Sequence, residues 1–220
     1  LIPEFGGDFT SPLTTAEVFY HLGLINEAQH YVFEAMEAIP NHRKSARCIQ
    51  RLAQTNFINE QYGVAKKYLD ILQKTLFYRK WSRNVSFENH PEWDTLRKFR
   101  LRDESMFSSA NMSSVLKDLI IHNPENKTAF LYLMAYTLLN KEWEKAAEHY
   151  VLGQQHHSVI PWAYQQALAF EWFQKIGNLD EIPWNLDENI TKGLADFMKT
   201  MLLTSEKQAR AILEKPFGHT

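Results

Sequence analysis

The sequence predicts an all-α fold built as a stack of antiparallel helical hairpins, and three observations lead to it. Three alanines, Ala28, Ala65 and Ala146, recur 37 and then 81 residues apart, and the second gap is about two periods of a helical-repeat array. Each has a large apolar residue three positions before it (Ile25, Tyr62, Trp143) and another four positions after it (Val32, Leu69, Tyr150). Those offsets put the large residues on one helical face, with the alanine letting a partner helix come close. No stretch reads as a convincing strand.

The elements follow in order along a single array spanning 1–220. A first hairpin is expected at 14–38, with Ala28 in its second helix. A second is expected at 44–75, where Ile49, Leu52 and Ala53 form the stripe of the first helix and Ala65 anchors the second. The doubled gap is filled by a divergent hairpin at 91–122. Pro91 opens its first helix, as proline at a first turn should, and Trp93, Leu96, Phe99 and Arg100 continue it. Val115, Leu116, Leu119 and Ile120 carry its second helix until Asn123-Pro124 stops it. The hairpin at 126–155 has Phe130, Leu133 and Met134 on its first helix and Ala146 on its second. The last, at 161–203, breaks at Gly177-Asn178 and turns at Pro183-Trp184. A short terminal helix at 205–215 is expected beyond it, with Ser205 as N-cap and Pro216 as stop.

On these residues the chain resembles the tetratricopeptide repeat, a 34-residue helix-turn-helix with small and large apolar residues at such offsets. Pro40, twelve residues after Ala28, matches the closing proline of that family; Phe77 and Ser158 stand at the equivalent places. Where the family often has glycine in its first helix, this chain has Ala16, Ala53 and Met134. The resemblance implies an irregular right-handed superhelical stack whose inner face, formed by the first helices, docks a protein or peptide. Its groove positions fall on Glu17, Tyr20 and His21 in the first unit and on Arg47, Gln50 and Gln54 in the second. In the fourth hairpin they fall on Thr128, Leu131, Ala135, Leu138 and Leu139, an apolar set expected beneath the C-terminal helices.

A second resemblance rests on residues 13–28, on Phe33-Glu34-Ala35-Met36, on 126–135 and on Tyr164-Gln165-Gln166-Ala167-Leu168. These segments resemble the soluble C-terminal region of an uncharacterised family of multi-span membrane proteins from Bacteroides and relatives. Together with a start at Leu1 instead of methionine, this implies a domain cut from a longer chain. It would be soluble as given and tethered to the inner membrane on the periplasmic side, with a cytoplasmic location as the alternative. Its partner could then be the membrane segment of its own parent chain.

Composition narrows the function further. With 24 basic and 26 acidic residues interspersed, and a net charge of −2, no nucleic-acid partner is expected. The longest apolar run, 129–139, falls short of the roughly 20 residues needed to span a bilayer, so no direct membrane insertion is expected. Fourteen Phe, nine Tyr and six Trp read first as filling between stacked helical pairs. The alternative is an accessory glycan-binding or lipid-linked-sugar-handling domain of an envelope enzyme, with Trp81, Trp93, Trp162 and Trp184 as stacking platforms.

No catalytic or nucleotide-binding motif occurs, and the eight glycines form no phosphate-cradling cluster. The chain is therefore read as no enzyme, with no cofactor and no metal. His149, His156 and His157 read as a solvated helix end in preference to a ligand set, because adjacent histidines diverge on a helix. Glu88, Glu92 and Asp94 around His90 read as acidic residues favoured at a helix start. Cys48 reads as a small packing residue. The sequons at Asn84, Asn111, Asn126 and Asn189 are read as chance matches.

Overall fold

A computed structural model of the chain describes residues 9–40, 43–86, 90–101 and 112–203. Among these residues there are eleven α-helices, packed largely in neighbouring pairs, and no strand. The expected terminal helix at 205–215, Glu88 and the sequon asparagine Asn111 lie outside the described residues. No helix among the described residues is long and apolar enough to cross a membrane. The chain falls into two compact units, Leu1–Tyr132 and Leu133–Thr220.

The first unit opens with the two expected hairpins. Helices α1 (Thr10–Leu22) and α2 (Ile25–Glu37) form one, and α3 (Ala46–Ile58) and α4 (Tyr62–Leu72) the other, with α2 packed on α3. Ala28 and Ala65 are fully buried, as are Ile25 and Val32. Tyr62 departs from the pattern: it is half exposed and meets Phe57 edge-on. Gly23 ends α1 at φ 90°, and a Cβ there would lie 2.8 Å from that of Phe99. Both the left-handed backbone and the close approach require glycine at this point.

A short helix, α5 (Arg79–Asn84), follows α4. It was not foreseen, since six residues are too few to show a period. Helix α6 (Pro91–Phe99) begins at Pro91 as expected, and α7 (Met112–His122) buries Leu116, Leu119 and Ile120. Helix α6 packs against α3 and α1, and the Lys98 carbonyl near its end accepts from the Asn123 amide just past α7 at 3.4 Å. Helix α8 (Lys127–Leu139) is apolar almost all round. The buried Asn126 starts it, accepting the Ala129 N–H at 3.1 Å and donating to the Leu22 carbonyl at 3.0 Å.

In the second unit the helix expected around Ala146 is cut short. α9 (Ala146–Val151) has six residues, flanked by 3-10 turns at Trp143–Lys145 and Gln154–His156. Ala146 and Tyr150 are still buried on it. Helix α10 (Trp162–Ile176) ends at Gly177 with φ 83°, the break expected there. The buried carboxylate of Glu171, on α10, accepts the Ala147 N–H at the start of α9 and pairs with Lys175. Gln165 fastens the incoming turn through Ile160 and the later loop through the Asp187 N–H. Asp187 then caps α11 (Glu188–Leu203), accepting the Asn189 N–H at 2.8 Å.

Candidate binding cleft

The sequence places a groove on α1 and α3, the first helices of the two hairpins, and the chain itself covers part of that surface. α6 lies against α1 and α3 with its aromatic and cationic residues inward. Trp93 is buried with its ring 4.9 Å from Phe57, and His90 stacks on it at 3.8 Å. Arg97 reaches over the Phe57 ring and to the Phe57 carbonyl, while Arg100 donates to the Ile58 carbonyl and to Asn59 Oδ1. Two cations thus satisfy the last carbonyls of α3, where a helix presents its negative end.

The six predicted groove residues are accordingly divided. Tyr20 is fully buried; its hydroxyl faces Trp93 and Arg51. Burial pushes its pKa up, the Arg51 charge opposes that, and Glu92 adds to it. Glu17 is half-buried and held by Arg51 through Nε at 3.2 Å and through Nη2. Gln50 and Gln54 are half-buried, and only His21 and Arg47 are exposed. Tyr20 and Glu17 therefore belong to the packing of this face. The residue that organises it, Arg51, was missed by the sequence reading, although it lies one helical turn beyond Arg47 and one repeat length from Glu17.

The second unit carries an open cleft. Its volume is about 770 Å³, and α10 and α11 line it together with Leu138 and Trp143. From α10 come Trp162, Ala163, Gln166, Ala167 and Phe170, a stripe at helical spacing. From α11, Asn189, Ile190, Gly193, Leu194, Phe197 and Thr200 form the facing stripe, with Asp196 supplying a carboxylate. A Cβ at Gly193 would meet nothing within 4 Å, so the wall is open there. Trp162 is 53% exposed and Phe197 38%. An apolar, aromatic cleft of this size with one carboxylate and a few amide and hydroxyl groups has the makeup of a ligand site.

Expected features elsewhere are also placed. Of the apolar positions expected beneath the C-terminal helices, Ala135 and Leu138 are half-buried, but Leu139 is 68% exposed and Leu131 lies on the surface. Their outward aspect follows from α8 being apolar on every side, so that no packing can hide all of it. His149 is buried against Thr137 at 2.6 Å, and His157 stacks on Tyr150. The Thr137 hydroxyl also lies 2.8 Å from the Leu133 carbonyl, one turn back on α8. No group of three or more metal-ligating side chains occurs among the described residues. Cys48 is buried, and burial pushes its thiol pKa up. Of the four tryptophans considered as platforms, Trp93 is buried, Trp81 and Trp184 are half-buried, and Trp162 is exposed.

No curated protein and no solved structure matches the chain. One family model does match, across residues 1–220. The chain therefore belongs to a family of unknown function, DUF6057.

Proposed function

We propose that this chain is a non-catalytic docking domain, tetratricopeptide-like in its first unit, that binds an apolar segment of a polypeptide in the cleft between α10 and α11. The observation that carries this is the cleft itself: two facing helical stripes, with Trp162, Phe170 and Phe197 as anchors, unfilled by any described residue. A helix or extended segment with apolar residues at matching spacing can bury them there, and a basic residue can meet Asp196. The way α6 lies across α1 and α3 supports the same reading, since the scaffold already receives one amphipathic helix of its own. The membrane segment of a longer parent chain, implied by the sequence resemblance, is the polypeptide we favour, with the domain tethered on the periplasmic side.

Panning a random-peptide phage library against the 220-residue chain tests this. Enriched peptides should carry apolar residues three or four apart with a Lys or Arg nearby, and Trp162→Ser with Phe197→Ser should abolish their capture. Enrichment that ignores both substitutions, or no enrichment, removes the cleft as the docking site.

A glycan reading survives on one residue. Trp162 is exposed beside Gln166, Asn189 and Asp196, polar groups that could fix a stacked sugar ring. Tryptophan fluorescence during oligosaccharide titration separates the two, because a saturable change lost in Trp162→Ser would favour the glycan.

A further inference from the structure

The turn between α4 and α5 projects two apolar side chains into solvent from a stretch of chain rich in basic residues. Leu76 is 79% exposed and Phe77 87%. The turn is well anchored. Tyr78, Trp81 and Val85 pack against the core formed by Ile49, Ala53, Leu69 and Leu72. The Arg79 guanidinium donates to the Gln73 carbonyl at 3.1 Å, and Thr75 donates to the Leu72 carbonyl at 2.7 Å. The apolar pair is thus held outward by a built support, with Ile71 also exposed on α4.

The chain on either side of the pair is strongly basic. Between 66 and 83 the chain carries Lys66, Lys67, Lys74, Arg79, Lys80 and Arg83, all exposed, against one acidic residue, Asp70. This contrasts with a whole chain in which acidic residues outnumber basic ones. Beside Phe77 lies a notch of about 550 Å³, lined in part by Lys80, Trp81, Asn84 and His90. An exposed apolar tip, flanking aromatics and exposed cations along the same stretch form the combination that suits the boundary between lipid headgroups and acyl chains.

We infer that this turn docks onto the surface of an anionic phospholipid bilayer. Leu76 and Phe77 enter the interface, Lys74, Lys80 and Arg83 meet headgroup phosphates, and the notch beside Phe77 accepts a headgroup. The contact is peripheral and needs no spanning helix. It is also independent of the cleft in the second unit.

Co-sedimentation of the 220-residue chain with vesicles tests this directly. The chain should bind phosphatidylglycerol–phosphatidylcholine vesicles and leave pure phosphatidylcholine vesicles in solution. Binding should weaken as salt rises from about 0.1 to about 1 M, where the screening length falls from about 10 to about 3 Å. Leu76→Ser with Phe77→Ser, and separately Lys80→Glu with Arg83→Glu, should each weaken it at least about tenfold. Leu139→Ser with Val159→Ser, exposed apolar positions on the second unit, should leave it unchanged. Circular dichroism should show all variants folded, since every substituted side chain is exposed. Equal binding to both vesicle types, or full binding by either turn variant, overturns the inference. So does a preference for single-stranded DNA over vesicles that survives Leu76→Ser with Phe77→Ser, because the patch would then be a general anion surface.

Discussion

The guanidinium of Arg51 stands 3.6 Å from the centre of the Tyr20 ring while it grips the carboxylate of Glu17. Arg51 and Glu17 are only 13% and 21% exposed, so the pair is shielded from water and from salt. Arg51→Ala leaves a partly buried carboxylate unpaired and uncovers the tyrosine. It should cost about 2–3 kcal/mol in urea unfolding. The double substitution Glu17→Gln with Arg51→Met keeps the volume and removes both charges, and should recover most of that loss. A single-variant cost under about 0.5 kcal/mol would show that the pair is incidental.

Asn126 has a different task at the start of α8. Its amide donates to the Leu22 carbonyl and its oxygen accepts from the Ala129 N–H, all out of solvent. Asn126→Ala should therefore lose a cap and strand a buried carbonyl, together costing about 2–4 kcal/mol by denaturant titration. Asn126→Asp should be little better, because the carboxylate can cap but cannot donate to Leu22.

Much of this architecture is legible in the sequence, and the reasons are local. The offsets around Ala28, Ala65 and Ala146 report burial, and all three are fully buried. Pro91 and Gly177 mark a helix start and a helix stop because they act on their own backbone. The spacing of Trp93, Leu96, Phe99 and Arg100 announces a helix, but not that α1 and α3 receive it. Tyr20 therefore reads as a groove residue and is a core residue. The cleft was equally hidden, since its walls are assembled from residues as far apart as Leu138 and Thr200. Phe77 stands in sequence only at the place of the repeat family's closing proline and Leu76 carries no signal there; their exposure is what sets the pair apart.

Alkaline pH should weaken the fold. Burial raises the pKa of Tyr20 above the ordinary 10.0 and likewise raises those of Tyr68, Tyr150 and Tyr164. A group whose folded pKa exceeds its unfolded value holds its proton more tightly when folded. Its stabilising contribution is complete below the unfolded value, near pH 10, and is lost as pH climbs through the folded one. Denaturant midpoints should be flat with respect to these groups up to about pH 9 and fall beyond about pH 10. Tyr20→Phe, which has no ionising hydroxyl, should show a shallower fall.

Cys48 should be chemically silent in the native protein. It is buried at the start of α3 and its thiol pKa is raised, which lowers the thiolate fraction as well as access. Labelling by a thiol-reactive disulfide reagent should be at least about a hundredfold slower in buffer than in denaturant. Rapid native labelling would mean that the α1–α3 packing opens readily.

Gly193 offers the most direct test of the docking cleft. It sits within α11 on the cleft wall, and its missing side chain leaves open space. Gly193→Ala should stabilise the protein by about 0.5–1 kcal/mol through helix propensity alone. Gly193→Leu directs a larger side chain from the cleft wall, starting at a Cβ position that meets nothing within 4 Å. The decisive measurement is fluorescence anisotropy of a peptide selected against the native chain, titrated with wild type, Gly193→Leu and Arg47→Ala. The cleft account predicts binding at least about tenfold weaker for Gly193→Leu and unchanged for Arg47→Ala. Wild-type affinity in Gly193→Leu, with loss in Arg47→Ala, would contradict it and return the binding face to the first unit.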